Sequence, residues 1–148
     1  YPGFEEVLET IDYLVASSEF PGNWTKEHDH LRALELLQNE YGMRVAAMTL
    51  GAYGALARMG DAYYYSPAFV VNCLDTTGAG DAFHGAFCYA LLDGMDLPEA
   101  LEFSNAIAAL NCMVVGARGG NAVTGAAREL AKRAERRVHK DFARYWKR

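Results

Sequence analysis

The sequence predicts an α/β layer sandwich. Two short apolar runs end in turn residues, as buried strands of a parallel sheet do, and three longer segments repeat apolar residues at three- and four-residue steps, as helices do. No internal repeat or low-complexity linker interrupts the order strand, helix, strand, hairpin, helix, helix, helix, which is the pattern of a layered α/β domain.

The elements follow in order. Ile11-Asp12-Tyr13-Leu14-Val15-Ala16, closed by Ser17-Ser18, reads as the first buried strand. Pro21-Gly22-Asn23 is turn chemistry and predicts a loop. Thr25 is the expected cap of a helix whose apolar positions are Leu31, Leu34, Leu37 and Tyr41, with Gly42 as its stop. Arg44–Leu50 is the next strand, Gly51 and Gly54 mark a tight turn, and Ala55–Met59 with Tyr63–Ser66 read as a hairpin around Gly60-Asp61. From Asp81 onward, Ala82, Phe83, Ala86, Phe87, Ala90 and Leu91 trace a helical stripe as far as Gly94. Pro98 sits early in the next helix, which carries Ala100, Leu101, Ile107, Ala108 and Leu110 to about Val115 before Gly116-Ala117-Arg118-Gly119-Gly120. From Val123 on, one or two terminal helices are expected, and the whole of residues 1–148 reads as one domain.

Composition narrows the possible functions. Of the 148 residues 51% are apolar and 22% charged, the balance of a globular domain and not of a disordered tail. A chain of this length buries roughly two-thirds of its unfolded surface, so it needs no disulfide or metal staple. No run approaches the roughly 18 apolar residues of a membrane span, and Tyr1-Pro2-Gly3-Phe4-Glu5-Glu6 lacks the basic and apolar regions of a signal peptide. A cytoplasmic protein with no membrane partner is expected. The sequence opens without Met, in what reads as the middle of a loop, so a longer parent chain is also expected. Cys73, Cys88 and Cys112 are odd in number and widely spaced, with no C-x-x-C, and read as reduced, mostly buried small hydrophobes.

Charge is unevenly divided. Residues 1–127 hold 5 Lys/Arg against 16 Asp/Glu, a net −11, whereas residues 128–148 hold 9 against 3, a net +6. An acidic body argues against nucleic acid as a partner, since that binding rests on clustered Lys and Arg. The basic residues Arg128, Lys132, Arg133, Arg136 and Arg137 fall at helical spacings with Glu129 and Glu135 among them, and read as a solvated helix face. Tyr63-Tyr64-Tyr65 reads as strand packing, and His28-Asp29-His30 as a solvated face, because helix residues two apart point to different sides.

The segment with chemistry in it is Asp75-Thr76-Thr77-Gly78-Ala79-Gly80-Asp81-Ala82-Phe83. A glycine-rich turn that opens a helix aims several unsatisfied backbone N–H groups at one point, where the helix dipole also favours negative charge, so the place suits a phosphate. A carboxylate at Asp81, in the first turn, would compete with that anion unless it serves to take a proton from a hydroxyl attacking the bound phosphoryl group. As a plain N-terminal cap Asp81 is the alternative. The spacing fits neither a P-loop, since no G-x-x-x-x-G-K-[ST] occurs, nor a dinucleotide fingerprint, since Gly78-x-Gly80 is followed by Phe83 and not by a third glycine. Protein-kinase motifs such as H-R-D are absent.

Asp75-Thr76-Thr77-Gly78-Ala79-Gly80-Asp81 closely resembles the D-T-x-G-A-G-D motif of the ribokinase-like (PfkB) carbohydrate kinases. Two further segments resemble that family in the right order: Thr49-Leu50-Gly51-Ala52-Tyr53-Gly54 its T-L-G-x-x-G nucleotide segment, and Ser104-Asn105-Ala106-Ile107-Ala108-Ala109 its A-N-A-x-A-A helix. The resemblance spans roughly residues 10–122, with 123–148 as a basic helical tail. It implies a three-layer α/β/α, Rossmann-like sandwich, here a partial domain without the family's N-terminal half and lid. It implies an ATP-dependent carbohydrate kinase, with Mg2+, in which Asp81 is the catalytic base and the backbone N–H groups of Gly78, Ala79 and Gly80 form the anion hole. Thr49, Gly51, Gly54 and Gly80 would line the nucleotide, with Asn105 near the adenine. Asp75 and Thr77, with Gly116 and Gly120, match positions around the family's monovalent-cation site, which implies K+. Family dimers meet through the lid, so any homodimer would form there.

The chain also departs from the family. Where relatives carry N-x-x-E for magnesium and phosphate, it reads Ser17-Ser18-Glu19-Phe20, so Ser17 stands for the Asn and Phe20 for the Glu, with Glu19 one residue away. Two alternatives to a sugar kinase are a non-catalytic adenine-nucleotide module, including an inactive fragment, and an adaptor working through the basic tail.

Overall fold

The structure, a computed structural model, describes residues 3–117 and 124–146. The chain divides into two compact units, Tyr1–Leu50 with Leu56–Tyr64 and Gly51–Ala55 with Tyr65–Arg148.

The first unit is built on a four-stranded sheet of order β1-β2-β3-β4, where β1 is Tyr13–Ser17, β2 Val45–Thr49, β3 Ala55–Met59 and β4 Ala62–Ser66. Strands β1 and β2 run parallel, in register from Tyr13↔Val45 to Ser17↔Thr49. Their carboxyl ends therefore lie side by side, and the Ser18 N–H donates to the Thr49 carbonyl at 3.1 Å. Val45, Ala46, Ala47 and Met48 are all buried, as a continuous apolar run demands. Strands β3 and β4 form the expected hairpin on Gly60-Asp61, with Gly60 at φ 57°, so the sheet is mixed.

This unit has two helices that local sequence does not announce, and a third that starts later than expected. Helix α1 is Phe4–Leu8, α2 is Glu19–Thr25 and α3 is His30–Tyr41. Pro21-Gly22-Asn23 thus lies inside a helix and not in a loop. Pro21 falls in the first turn, where its missing N–H costs nothing, and Phe20 stacks on Trp24 one turn later at 5.6 Å while Phe4 meets both rings. The cap of α3 is Asp29, whose Oδ1 accepts the Arg32 N–H at 2.9 Å; Thr25 closes α2 instead, its Oγ1 donating to the Pro21 carbonyl. Gly42, at φ 69°, ends α3 as expected, and Ala33, Leu34 and Leu37 form its buried face.

The second unit is mainly helical. Helix α4 (Ala79–Leu92) packs on α5 (Leu97–Cys112), which packs in turn on α6 (Thr124–Arg133). Phe83, Ala86, Phe87 and Ala90 are buried on α4, and Leu97, Ala100, Leu101 and Phe103 on α5. A capping box of Asp96 and Glu99, with Pro98 in the first turn, starts α5.

The basic tail corrects the expectation of a solvated helix throughout. After α6 the chain forms a short strand, β6 (Arg136–Arg137), antiparallel to β5 (Ala68–Phe69). Arg136 is not solvated: its side chain is 9% exposed, its guanidinium lies 3.5 Å from the Phe69 ring centre, and it bonds the Pro67 carbonyl and the Glu102 carboxylate. Burial pushes its guanidinium down to about 10. Helical spacing alone cannot separate such a residue from its neighbours, because the long Arg stem covers an apolar ring as well as it reaches water.

The cysteines are a second correction. Cys73 and Cys88 are exposed and Cys112 half-buried, since Cys73 lies in the connection between β5 and α4 and Cys88 on the open side of α4. Among the described residues no helix is long and apolar enough to cross a membrane.

Candidate functional site

The site is assembled within the second unit around the turn that opens α4. Gly78 caps this helix at φ 76°, a left-handed conformation that a side chain disfavours. A Cβ at Gly78 would lie 2.8 Å from the Ala117 carbonyl oxygen and 2.9 Å from its Cα, so the position is closed to every other residue on two counts.

The loop before it is held from three sides. Asp75 Oδ1 accepts the Thr77 N–H at 2.9 Å, and Asp75 Oδ2 accepts the Gly116 N–H at 2.8 Å. Asn111 Nδ2 donates to the Thr77 carbonyl at 2.9 Å. Hydrogen bonds from Thr77, then from Gly116, hold the Asp75 carboxyl below the usual carboxylate range. Because the folded value is depressed, the stability this group contributes is present above its ordinary value of 3.8 and is lost as pH falls through the lower, folded one. Asp75→Asn, which turns an NH2 toward one of two N–H donors, is therefore expected to lower the urea midpoint at pH 7, and the gap to wild type is expected to shrink as the buffer is taken below pH 3.8.

Asn111 is a residue that motif reading passed over. It is 2% exposed on the last turn of α5 and fixes the loop that leads into α4. The signal lay in its setting: an amide inside the apolar run Ala109-Leu110-Asn111-Cys112-Met113 asks for a buried partner.

The first turn of α4 is open. The Ala79 N–H is turned back to the Thr76 carbonyl at 3.1 Å, while the Ala82 N–H makes the first bond of the helix, to Gly78. The Gly80 and Asp81 N–H groups precede that bond and have no intrahelical partner. Nothing lies within 4 Å of where a Gly80 Cβ would sit, and the Asp81 side chain is exposed. Open amides, the positive end of a 14-residue helix dipole and a free carboxylate thus share one turn.

The other expected nucleotide residues fall in two places. Gly51 begins a single 3-10 turn, Gly51–Tyr53, and Gly54 follows at φ 96°. A Cβ on Gly54 would lie 2.0 Å from the Ser66 carbonyl oxygen and 2.6 Å from the Ala68 nitrogen. Asn105, 7% exposed, donates from Nδ2 to that same Ser66 oxygen at 2.8 Å. Gly54 and Asn105 therefore converge on one backbone carbonyl, and the Asn105 amide group faces Ser66. Thr49 ends β2 in the first unit.

The tail supplies His139, which no motif marks. Tyr65 Oη donates to the Tyr53 carbonyl and accepts the His139 N–H, and the His139 ring meets Tyr53 edge-on at 5.1 Å. Burial, first of all, pushes the Tyr65 hydroxyl above its ordinary value. The 3-10 turn is thus tied to the chain after β6.

Three of the four residues expected around a monovalent cation, Asp75, Thr77 and Gly116, come together at this loop. Gly116 presents its N–H to Asp75, and the Thr77 carbonyl accepts from Asn111. Gly120 lies outside the described residues. In the first unit Glu19 is exposed on the first turn of α2, while Phe20 is committed to the aromatic cluster with Phe4 and Trp24.

The chain thus has the elements of an α/β protein: a parallel strand pair, a helical unit, and an open, glycine-bounded helix start with its own carboxylate. Residues 2–123 match the family described as pfkB family carbohydrate kinase, and the chain belongs to that family. The ribokinase of Lactococcus lactis is 30% identical over 115 residues, covering 78% of this chain and 37% of that protein. Among solved structures, ribokinase from Thermotoga maritima superposes with a TM-score of 0.77 at 29% identity over 87% of this chain and 45% of its own. A putative ribokinase II from E. coli, solved with ATP and Mg2+, gives a TM-score of 0.81 at 25% identity, over 87% of this chain and 42% of its own. The fold is ribokinase-like, and the chain spans less than half the length of these relatives.

Proposed function

We propose that the chain is the nucleotide-binding and catalytic-base portion of an ATP-dependent carbohydrate kinase. The observation that supports this most is the sharing of one helix turn by open backbone amides and the exposed Asp81 carboxylate. Alone, the amides would suit any anion; alone, the carboxylate would be a cap. Together they suit a reaction in which a phosphoryl group is held while a proton is removed beside it.

In this reading the sugar hydroxyl approaches the γ-phosphorus of ATP as Asp81 accepts its proton. The new O–P bond forms as the bond to the β-phosphate bridging oxygen breaks, and ADP leaves with that electron pair. Charge growing on the transferred group meets the N–H groups of Gly78 and Gly80, at the positive end of α4. The Ala79 N–H, expected to join them, is held by the Thr76 carbonyl. Mg2+, carried in on the nucleotide phosphates, supplies further charge neutralisation. Gly51 and Gly54 form the turn against which the nucleotide lies, and Asn105 acts by fixing the Ser66 carbonyl in the wall behind it. The assignment of Thr49 to the nucleotide rests on the T-L-G-x-x-G resemblance.

Calorimetric titration of the 148-residue chain with Mg-ATP tests the reading. One-site binding is expected, weakened at least tenfold in Gly78→Ala, where the added Cβ displaces the loop from Ala117. Heat-free titration of a chain shown to be folded by circular dichroism contradicts it.

A further inference from the structure

We propose that Tyr65 is a positioning residue for the turn Gly51–Gly54, and that the chain after β6 is the strap that holds it there. The proposal rests on the reading of that turn as the surface against which the nucleotide lies. The turn has little of its own to fix it. Gly51 and Gly54 are glycines at left-handed φ, 56° and 96°, and the Gly54 N–H closes the turn on the Gly51 carbonyl at 3.1 Å. Strand β4 supplies outside support from two consecutive residues. The Ser66 carbonyl closes on Gly54, and the Tyr65 hydroxyl donates to the Tyr53 carbonyl at 2.6 Å. A hydroxyl has one proton to give, and the Arg137 carbonyl, at 3.5 Å, is the weaker acceptor for it.

The strap is built from residues outside 2–123, the range of the family match. Its first anchor is β6, where Arg136 bonds the Pro67 carbonyl at 3.1 Å and lies on the Phe69 ring. Three residues on, the His139 N–H donates to Tyr65 Oη at 2.9 Å, while the His139 ring stands edge-on to Tyr53. Phe142, itself buried, stacks on His139 at 4.8 Å and lies against the Tyr65 ring at 5.8 Å. The Tyr65 hydroxyl therefore accepts from the strap as it donates to the turn, and each bond polarises the other. Tyr65 is 3% exposed, so water does not replace these partners when one is lost. A turn ordered in advance loses less freedom when a nucleotide settles on it, which is how a hydroxyl that touches no ligand sets the affinity for one.

The experiment is calorimetric titration of the wild-type chain and of Tyr65→Phe with Mg-ATP, both shown to be folded by circular dichroism. Loss of the hydroxyl is expected to weaken binding about tenfold. Tyr41→Phe, which perturbs the bond from Trp24 Nε1 to Tyr41 Oη at 3.0 Å in the first unit, controls for a lost hydrogen bond elsewhere and should bind as wild type does. In a turnover-competent protein containing this chain, Tyr65→Phe should raise KM for ATP by the same factor and leave kcat within about twofold, the reverse of Asp81→Asn. His139→Ala, which keeps the backbone N–H and removes only the ring beside Tyr53, should weaken binding about threefold and carries the test if Tyr65→Phe does not fold. Wild-type affinity in the folded variants, or an equal loss in Tyr41→Phe, would overturn the proposal and leave the nucleotide reading standing. A folded wild-type chain that binds no Mg-ATP would overturn that reading, and the proposal with it.

Discussion

Asp81→Asn is expected to lower kcat by about 10²–10⁴-fold in a turnover-competent protein containing this chain, the range for loss of a general base. Its binding of Mg-ATP is expected to stay within a few-fold of wild type. The separation of these effects is the informative part. Asp81 is exposed in the first turn of α4, away from the buried face of Phe83, Ala86 and Phe87, so the amide substitution leaves that packing intact. It removes only a proton acceptor and a negative charge, and removal of that charge next to a phosphate site favours nucleotide binding if it acts at all. Steady-state kinetics on the variant, with the nucleotide affinity measured in parallel, checks both halves. If kcat is unchanged, Asp81 is a cap and the proton leaves by another route.

Gly54→Ala is expected to be the most destabilising single methyl in the second unit, costing about 3–5 kcal/mol. At φ 96° any side chain is strained, and this one would place its Cβ 2.0 Å from the Ser66 carbonyl oxygen. That oxygen cannot retreat freely, because Asn105 Nδ2 is bonded to it. Gly94→Ala provides the comparison. It has nearly the same backbone strain, at φ 80°, with nothing within 4 Å of its Cβ, and should cost only the roughly 1–2 kcal/mol of a left-handed non-glycine residue. Urea midpoints of the two variants measure the difference directly. Equal midpoints would mean that the close approach at Ser66 relaxes without cost.

Much of this geometry was legible because local chemistry and tertiary position agree. Gly42, Gly60 and Gly78 sit where the chain must turn left-handed, and the sequence around each already said stop, turn or start. Pro98 marked the start of α5, where the Asp96–Glu99 capping box went unread, and the D-T-T-G-A-G-D run marked the start of α4. What escaped reading depended on partners far along the chain. The Pro21-Gly22 pair is a break by local rules, but Phe20 and Trp24 find Phe4 and keep the helix. Arg136 looks like Arg133 in a spacing pattern, yet only Arg136 finds the Phe69 ring and Glu102. Asn111 belongs to no motif, and its role exists only because Thr77, 34 positions earlier, turns its carbonyl toward it. The carboxyl groups show the same division. The sequence put Asp75 and Asp81 in one motif, but both oxygens of Asp75 accept N–H donors, whereas the Asp81 side chain is exposed.

The central claim is that the turn opening α4 moves a phosphoryl group from ATP to a sugar. Conversion of ATP to ADP by a protein containing this chain, followed with and without each member of a sugar panel in the presence of Mg2+, tests it most directly. The account predicts that ADP appears in step with a phosphorylated sugar and that Asp81→Asn abolishes both together. ADP production that ignores every sugar, or that continues undiminished in Asp81→Asn, would contradict it.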